Sequence, residues 1–279
     1  MPSKLPPDFM MGRTMTGAVN TYSSYQQIVS NIDRQTQMVE DQPDVKRATQ
    51  YYLANIGNVK SVDDFINNTQ LFGYAMKAYG LEDMTYAKAF MKKVLTSDLS
   101  DSNSFANKLA DSRYQEIAKA FNFSGSSDPT IVTQTQAAQQ GTVDMYVRQT
   151  LEEDAGESDT GVQLALYFER TAPTVTSYYG ILADDALSEV VRTALGFDDS
   201  MGMMDIDQQV KILQSKFDIT DFQDPKKLET FIGRFTAMYD LQNPDASSGG
   251  QSSTSLLFGG SSEFNVSTDL MLAMQSMKP

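Results

Sequence analysis

At 279 residues with 41% apolar content, the chain is long enough to close one large core or two ordinary ones, which argues against disorder throughout. Lys and Arg total 22 against 36 acidic residues, and the formal charge of −14 repels phosphate backbones, so nucleic acid is a poor partner. Cysteine, histidine and tryptophan are absent, which removes disulfides, thiolate nucleophiles, Ser-His-Asp triads and Cys- or His-bound metals.

Residues 1–22 carry Pro2, Pro6, Pro7, Gly12 and Gly17 without a sustained period, so they read as a mobile segment. They lack the charged-then-apolar order of a signal peptide, and no stretch nears the roughly 20 apolar residues of a spanning helix, so neither Sec export nor membrane insertion is expected. From Tyr22 the apolar spacing of Tyr25, Ile28, Val29 and Ile32 predicts one amphipathic helix to about Val39. Pro43 then suits the first turn of a second helix through Val45, Tyr52 and Ile56. Ser61-Val-Asp-Asp64 has the form of a capping box opening a helix with Phe65, Phe72, Ala75, Met76 and Tyr79 on one face, and Gly80 is placed to end it in the left-handed region. Further helices are predicted over Met84 to Leu95, around Ser104 to Leu109, and after a cap at Asp111 through Tyr114, Ile117 and Phe121.

Phe123 to Pro129 is rich in turn residues and forms the best internal boundary. Thr130 to Asp154 is helical in composition but weakened in its first half by Gly141 and three threonines, and Gly156 to Gly161 interrupts it before Val162 to Arg170 resumes the helix. Setting Tyr51 on Tyr167, an offset of 116, brings identical residues together without a gap at Val59/Val175, Ser61/Ser177, Leu71/Leu187, Ala78/Ala194, Gly80/Gly196 and Asp83/Asp199. The agreement includes a helix-start serine and a helix-stop glycine, where local physics is most restrictive, so one helical unit used twice is the expected organisation. Beyond Leu241 a Ser/Gly-rich linker, 242–262, precedes a short amphipathic helix, 263–279, with Leu270, Met274 and Met277 on one face. Those three residues are the candidate partner-binding site, the alternative being that the helix docks on its own domain.

The expected fold is therefore all-α: unit 1 over 23–123, connecting helices over 124–166 and unit 2 over 167–241, flanked by flexible ends. Phosphate-loop, dinucleotide, nucleophile-elbow and zinc-protease motifs are missing, and no catalytic, cofactor or metal residues are assigned. Asp198 to Asp207 misplaces the glycine and final glutamate that a calcium loop needs. Glu152-Glu-Asp154 with Glu157 and Asp159 is the densest acidic run, and it reads as a solvated helix end rather than a Mg²⁺ or acid–base pair.

Several stretches resemble a bacterial family of unknown function found in alphaproteobacterial flagellar gene clusters. They are Tyr51-Tyr52, Val59 to Phe65, Ala75 to Asp83, Phe105 to Asp111 with Arg113-Tyr114, Leu164-Ala-Leu-Tyr-Phe-Glu-Arg170 and Ile181 to Asp184. The Asp111/Arg113-Tyr114 and Leu164–Arg170 stretches are the most specific, because helical periodicity does not require their polar and aromatic residues. Tyr52 departs from the phenylalanine commoner in the family, whose region would cover about 43–240. The resemblance transfers no active site. It implies a non-enzymatic structural or accessory protein of the flagellum, with flagellar proteins as partners and export without a cleaved signal peptide. The alternative it implies is a cytoplasmic chaperone or assembly regulator of a flagellar component.

Overall fold

A computed structural model describes residues 20–124 and 129–244. Among the described residues the chain is all-α, with fourteen α-helices joined by short 3-10 and π turns and no strand. Residues 245–279, which hold most of the expected linker and the expected C-terminal helix with its candidate residues Leu270, Met274 and Met277, lie outside the described residues.

Local side-chain chemistry sets most boundaries. Helix α1 (Thr21–Val29) begins two residues inside the segment expected to be mobile, because Asn20 and Ser23 form a reciprocal capping box. The single helix expected to Val39 is divided into α1 and α2 (Ile32–Glu40). Asn31 donates to the Gln27 carbonyl at 3.1 Å and the Ser30 hydroxyl donates to the same oxygen, which competes with the helical ladder. Pro43 opens α3 (Pro43–Ile56) as expected. Ser61 caps α4 (Val62–Asn67), accepting from the Asp64 N–H at 3.0 Å. The helix expected to run on to Tyr79 instead breaks at Asn68, whose extended backbone lets its side chain cap α5 (Thr69–Ala78).

Gly80 has φ +65°, and the Leu81 N–H reaches back to the Met76 carbonyl at 2.8 Å, so α5 stops where a glycine is needed. A 3-10 turn (Glu82–Met84) leads into α6 (Lys88–Leu95), and the short helix expected near Ser104 is only a 3-10 turn, Ala106–Lys108. Then follow α7 (Arg113–Ala120), α8 (Pro129–Thr133), a π turn (Ala137–Gly141) and α9 (Thr142–Gly156). The irregular first half of that stretch is where glycine and threonines weaken helix.

The second half repeats these events. Helix α10 (Thr160–Thr171) is capped by Asp159, α11 (Tyr178–Ala183) by Ser177 and α12 (Asp185–Leu195) by Asp184, and Gly196 stops α12 with φ +70°. Helices α4 and α11 begin and end 116 positions apart, and Ser61/Ser177, Asn68/Asp184 and Gly80/Gly196 do the same local work. A 3-10 turn (Asp199–Met203), α13 (Ile206–Gln214) and the long α14 (Pro225–Gln242) follow in the described residues.

Two apolar cores result. The first gathers Tyr52, Phe65, Met76, Met91 and Phe121, and the second Phe168, Leu213, Phe222 and Phe235. Without tryptophan, ring contacts carry the load: Phe65 stacks on Phe121 at 4.8 Å and Phe168 on Phe231 at 5.4 Å. The cores do not follow the sequence boundaries closely. Val143, Val147 and Leu151 of α9, in the stretch read as connecting helices, close the first core, while Tyr25 of α1 enters the second. Helix α9 packs on both α5 and α10 and so forms the spine of the joint.

Helix α1 is held tightly to α10 and α14. A Cβ on Gly161 would lie 2.5 Å from the Tyr239 ring and 2.8 Å from Thr21 Cγ2. Gly161→Ala is expected to cost about 1–3 kcal/mol by forcing these helices apart, which denaturant titration would measure. At the same place the Thr21 hydroxyl lies between Asp159 (2.9 Å) and Asp240 (2.5 Å). Burial, with the Asp159 charge adding to it, raises the Asp240 carboxyl above the usual carboxylate range. The folded state thus binds this proton more tightly than the unfolded one. Its stabilising contribution is complete below the ordinary aspartate pKa and is lost as pH rises through the raised value. Asp240→Asn should therefore raise Tm at neutral pH and show a shrinking advantage on acidification, read from melting curves across pH.

Candidate functional site

The two most distinctive sequence stretches meet at the joint. Asp111 and Arg113 lie where α7 begins, and Tyr167 and Arg170 project from α10. The Arg113 guanidinium is bidentate on Asp111 (Nη2 to Oδ2 2.8 Å, Nε to Oδ1 3.1 Å), donates Nη1 to the Gly80 carbonyl at 2.7 Å, and lies 3.5 Å from Asp184. Asp111 thus orients its neighbour in addition to accepting from the Arg113 N–H at the helix start. Asp184, 2% exposed, accepts from the Tyr167 hydroxyl and from the Leu187 N–H, so one carboxylate both caps α12 and anchors α10. Burial pulls against the Arg113 charge, but the Asp111 and Asp184 carboxylates outweigh it and hold the guanidinium protonated. Burial, with Asp184 alongside, pushes the Tyr167 phenol far up, so it stays a donor.

A second cluster adjoins this one through Arg170, whose guanidinium lies 5.2 Å from the Tyr167 ring centre. Glu152 is 1% exposed. It accepts from Arg170 through both oxygens at 2.8 Å and from Arg148 at 3.0 Å, and Arg148 continues to Glu169 at 2.9 Å. The expected solvated helix end is therefore corrected. Consecutive helical residues point about 100° apart, so the three carboxylates diverge into three contacts: Glu152 to these arginines, Glu153 to Lys77 at 2.6 Å, and Asp154 to Gln42 at 2.7 Å. In the other acidic run, Asp198 accepts from the Ser200 N–H and Asp205 caps α13. A cleft of about 340 Å³ flanks Arg170, lined by Tyr79, Glu116, Lys119 and Thr171. Burial raises the Glu116 carboxyl there.

A concavity of about 760 Å³ forms an open groove between α3, α5, the turn before α6, and α9. Tyr52, Tyr74 and Tyr146 stack beside it with ring centres 4.4 and 3.9 Å apart. Lys77 sits 5.5 Å from the Tyr146 ring; burial opposes its charge, but Glu153 more than offsets this and raises its pKa. Gly73 lines the groove in the middle of α5, and a Cβ there would meet nothing within 4 Å. Tyr51 and Tyr86 stand on the rim, Tyr86 80% exposed. Arg47 and Lys88, also lining it, make no ion pair among the described residues. Sequence reasoning had singled out Tyr51 and the Ala75–Asp83 stretch but not Arg47, Gly73 or Lys88, which carry no local signature.

A family model described as "Protein of unknown function (DUF1217)" matches residues 78–228. The chain belongs to this family. The match starts later and ends earlier than the 43–240 implied by resemblance, and it contains both charge clusters of the joint. A crystal structure of a protein from Agrobacterium tumefaciens is similar at 46% identity with a TM-score of 0.74, covering 88% of this chain and 100% of that one. No curated protein matches the chain. The resemblance to a family of unknown function with alphaproteobacterial members is thus correct, and the DUF1217 chain keeps the all-α fold expected of it. No described helix is long and apolar enough to cross a membrane.

Proposed function

We propose that this DUF1217 protein is a non-enzymatic structural or accessory part of the bacterial flagellum that acts by helical packing against other proteins, with the unit 1 groove as its docking face. The observation that carries the docking reading is the groove itself: open, tyrosine-lined and rimmed by Arg47 and Lys88, which have no carboxylate partner among the described residues, on a chain of net charge −14. A small-molecule site is usually a closed cleft with few converging polar groups, whereas an open aromatic trough suits a helix or a protein corner. The joint supports it from behind. Its carboxylates are taken up by guanidinium groups and helix N–H groups, which suits rigidity better than proton transfer. The flagellar setting rests on the sequence resemblance, and the matched helix boundaries 116 positions apart favour an origin by internal duplication.

A deletion strain tests the setting. Loss of motility or of normal filaments, with the protein recovered in the flagellar fraction of the wild type, is the expected result. Normal motility and filaments would remove the flagellar reading. A protein confined to the cytoplasm while export is active would replace the structural role with that of an assembly helper.

A further inference from the structure

We infer that the groove takes a different surface, carried by the second half, of another copy of this chain, so that the protein associates head to tail. This rests on the reading of the groove as a protein-docking face. The proposed occupant is the corner where the Asp199–Met203 turn meets α13. There Met203 is 84% exposed, Ile206 50%, Tyr179 42% and Met204 39%, an apolar cluster on a surface otherwise rich in charge. Exposed apolar residues gathered at one place, unlike ones scattered singly, mark contact sites. The Tyr179 hydroxyl donates to Asp207 at 2.7 Å, which fixes an acidic group beside the apolar ones, and Asp205 stands at the cap of α13. Neither aspartate has an ion pair among the described residues.

The groove offers the complement. Among the described residues Arg47 and Lys88 lack carboxylate partners, Lys88 donating only to the Asn67 side chain at 3.4 Å, Tyr51 and Tyr86 present exposed rings, and Gly73 leaves the floor open. Two copies of a chain at −14 repel in most orientations, so an acidic, apolar corner facing an aromatic groove that carries Arg47 and Lys88 beside Glu82 selects the orientation that sets the aspartates on the two cations. The same place in the helix order is used twice with opposite chemistry. Helix α6 opens on Lys88 in the groove, and α13 opens on Ile206 at the corner. Because the two surfaces differ, each contact leaves one groove and one corner free, and association continues into a ring or a filament unless it is capped.

Light scattering and sedimentation of the full-length protein, from micromolar to submillimolar concentration, test this. The wild type is expected to grow beyond a dimer at low salt and to dissociate as salt rises. Arg47→Glu/Lys88→Glu removes the groove and Met203→Ser/Ile206→Ser the corner; each alone should lower the association constant by about tenfold or more. Mixed in equal amounts, the two variants should form dimers and stop there, because one intact groove meets one intact corner. Misfolding of either variant would not produce that recovery. A wild type that stays monomeric throughout, variants that associate like the wild type, or a mixture that stays monomeric would each overturn the inference. If the chains stay monomeric while the groove variant abolishes motility, self-association is wrong and the docking face stands, with another protein as its occupant.

Discussion

Replacing Glu152 with alanine is expected to cost about 3–5 kcal/mol, because it strands two largely buried guanidinium groups at the joint. Arg170 loses both of its acceptor oxygens on this residue and Arg148 loses one, while Glu169 and the Gln149 side chain remain as partial compensation. At this chain length such a loss corresponds to a drop in Tm on the order of 10 °C. Asp63→Ala is the control: Asp63 pairs with Lys92 at 2.7 Å, but both are exposed, and the change should stay within about 0.5 kcal/mol. The cause can be separated from simple loss of packing. A joint variant that also replaces Arg148 and Arg170 by Met or Leu removes the stranded charges and should recover most of the loss. Additive losses in the combined variant, measured by urea unfolding, would show that the charges are not coupled.

Glu152 also shows where sequence reading stopped. A run of Glu, Glu and Asp at the end of a helix is usually solvated, and nothing local reveals that arginines lie across α10 to receive the first of them. Gly80 and Gly196 were legible because a left-handed stop admits few other residues, and Ser61 and Ser177 because a cap needs a short acceptor. The breaks at Ser30-Asn31 and Asn68 were not, since a polar residue within an amphipathic stripe ends a helix only when its side chain finds a competing backbone partner. The Asp111/Arg113 and Leu164–Arg170 stretches stood out as polar residues that periodicity does not need, and the joint supplies the reason: Arg113, Asp184, Tyr167 and Arg170 assemble across elements far apart in sequence. The groove left only Tyr51 and the Ala75–Asp83 stretch as marks, and nothing that showed them to share a surface. Its cations and its glycine come from three different helices, and each alone reads as an ordinary surface residue.

Gly73 gives the second large effect, in which stability and function move in opposite directions. A glycine in a helix interior costs about 1 kcal/mol relative to alanine, and here no neighbour lies within 4 Å of where a Cβ would sit. Gly73→Ala should therefore stabilise the isolated protein by about 1 kcal/mol. Gly73→Leu should leave it at least as stable as the wild type while placing a branched side chain on the groove floor. A partner seated against Tyr51 and the Arg47 and Lys88 rim would then be lifted off, with an affinity loss of about tenfold or more expected for overpacking at the centre of an interface.

The direct test is a strain in which Gly73→Leu replaces the wild-type residue, scored for protein level, flagellar fractionation and swimming. Docking through the groove requires a folded protein at normal or raised abundance that is missing from the flagellar fraction, in cells whose motility falls towards that of the deletion strain. Wild-type swimming and wild-type fractionation with the folded Gly73→Leu protein would contradict it.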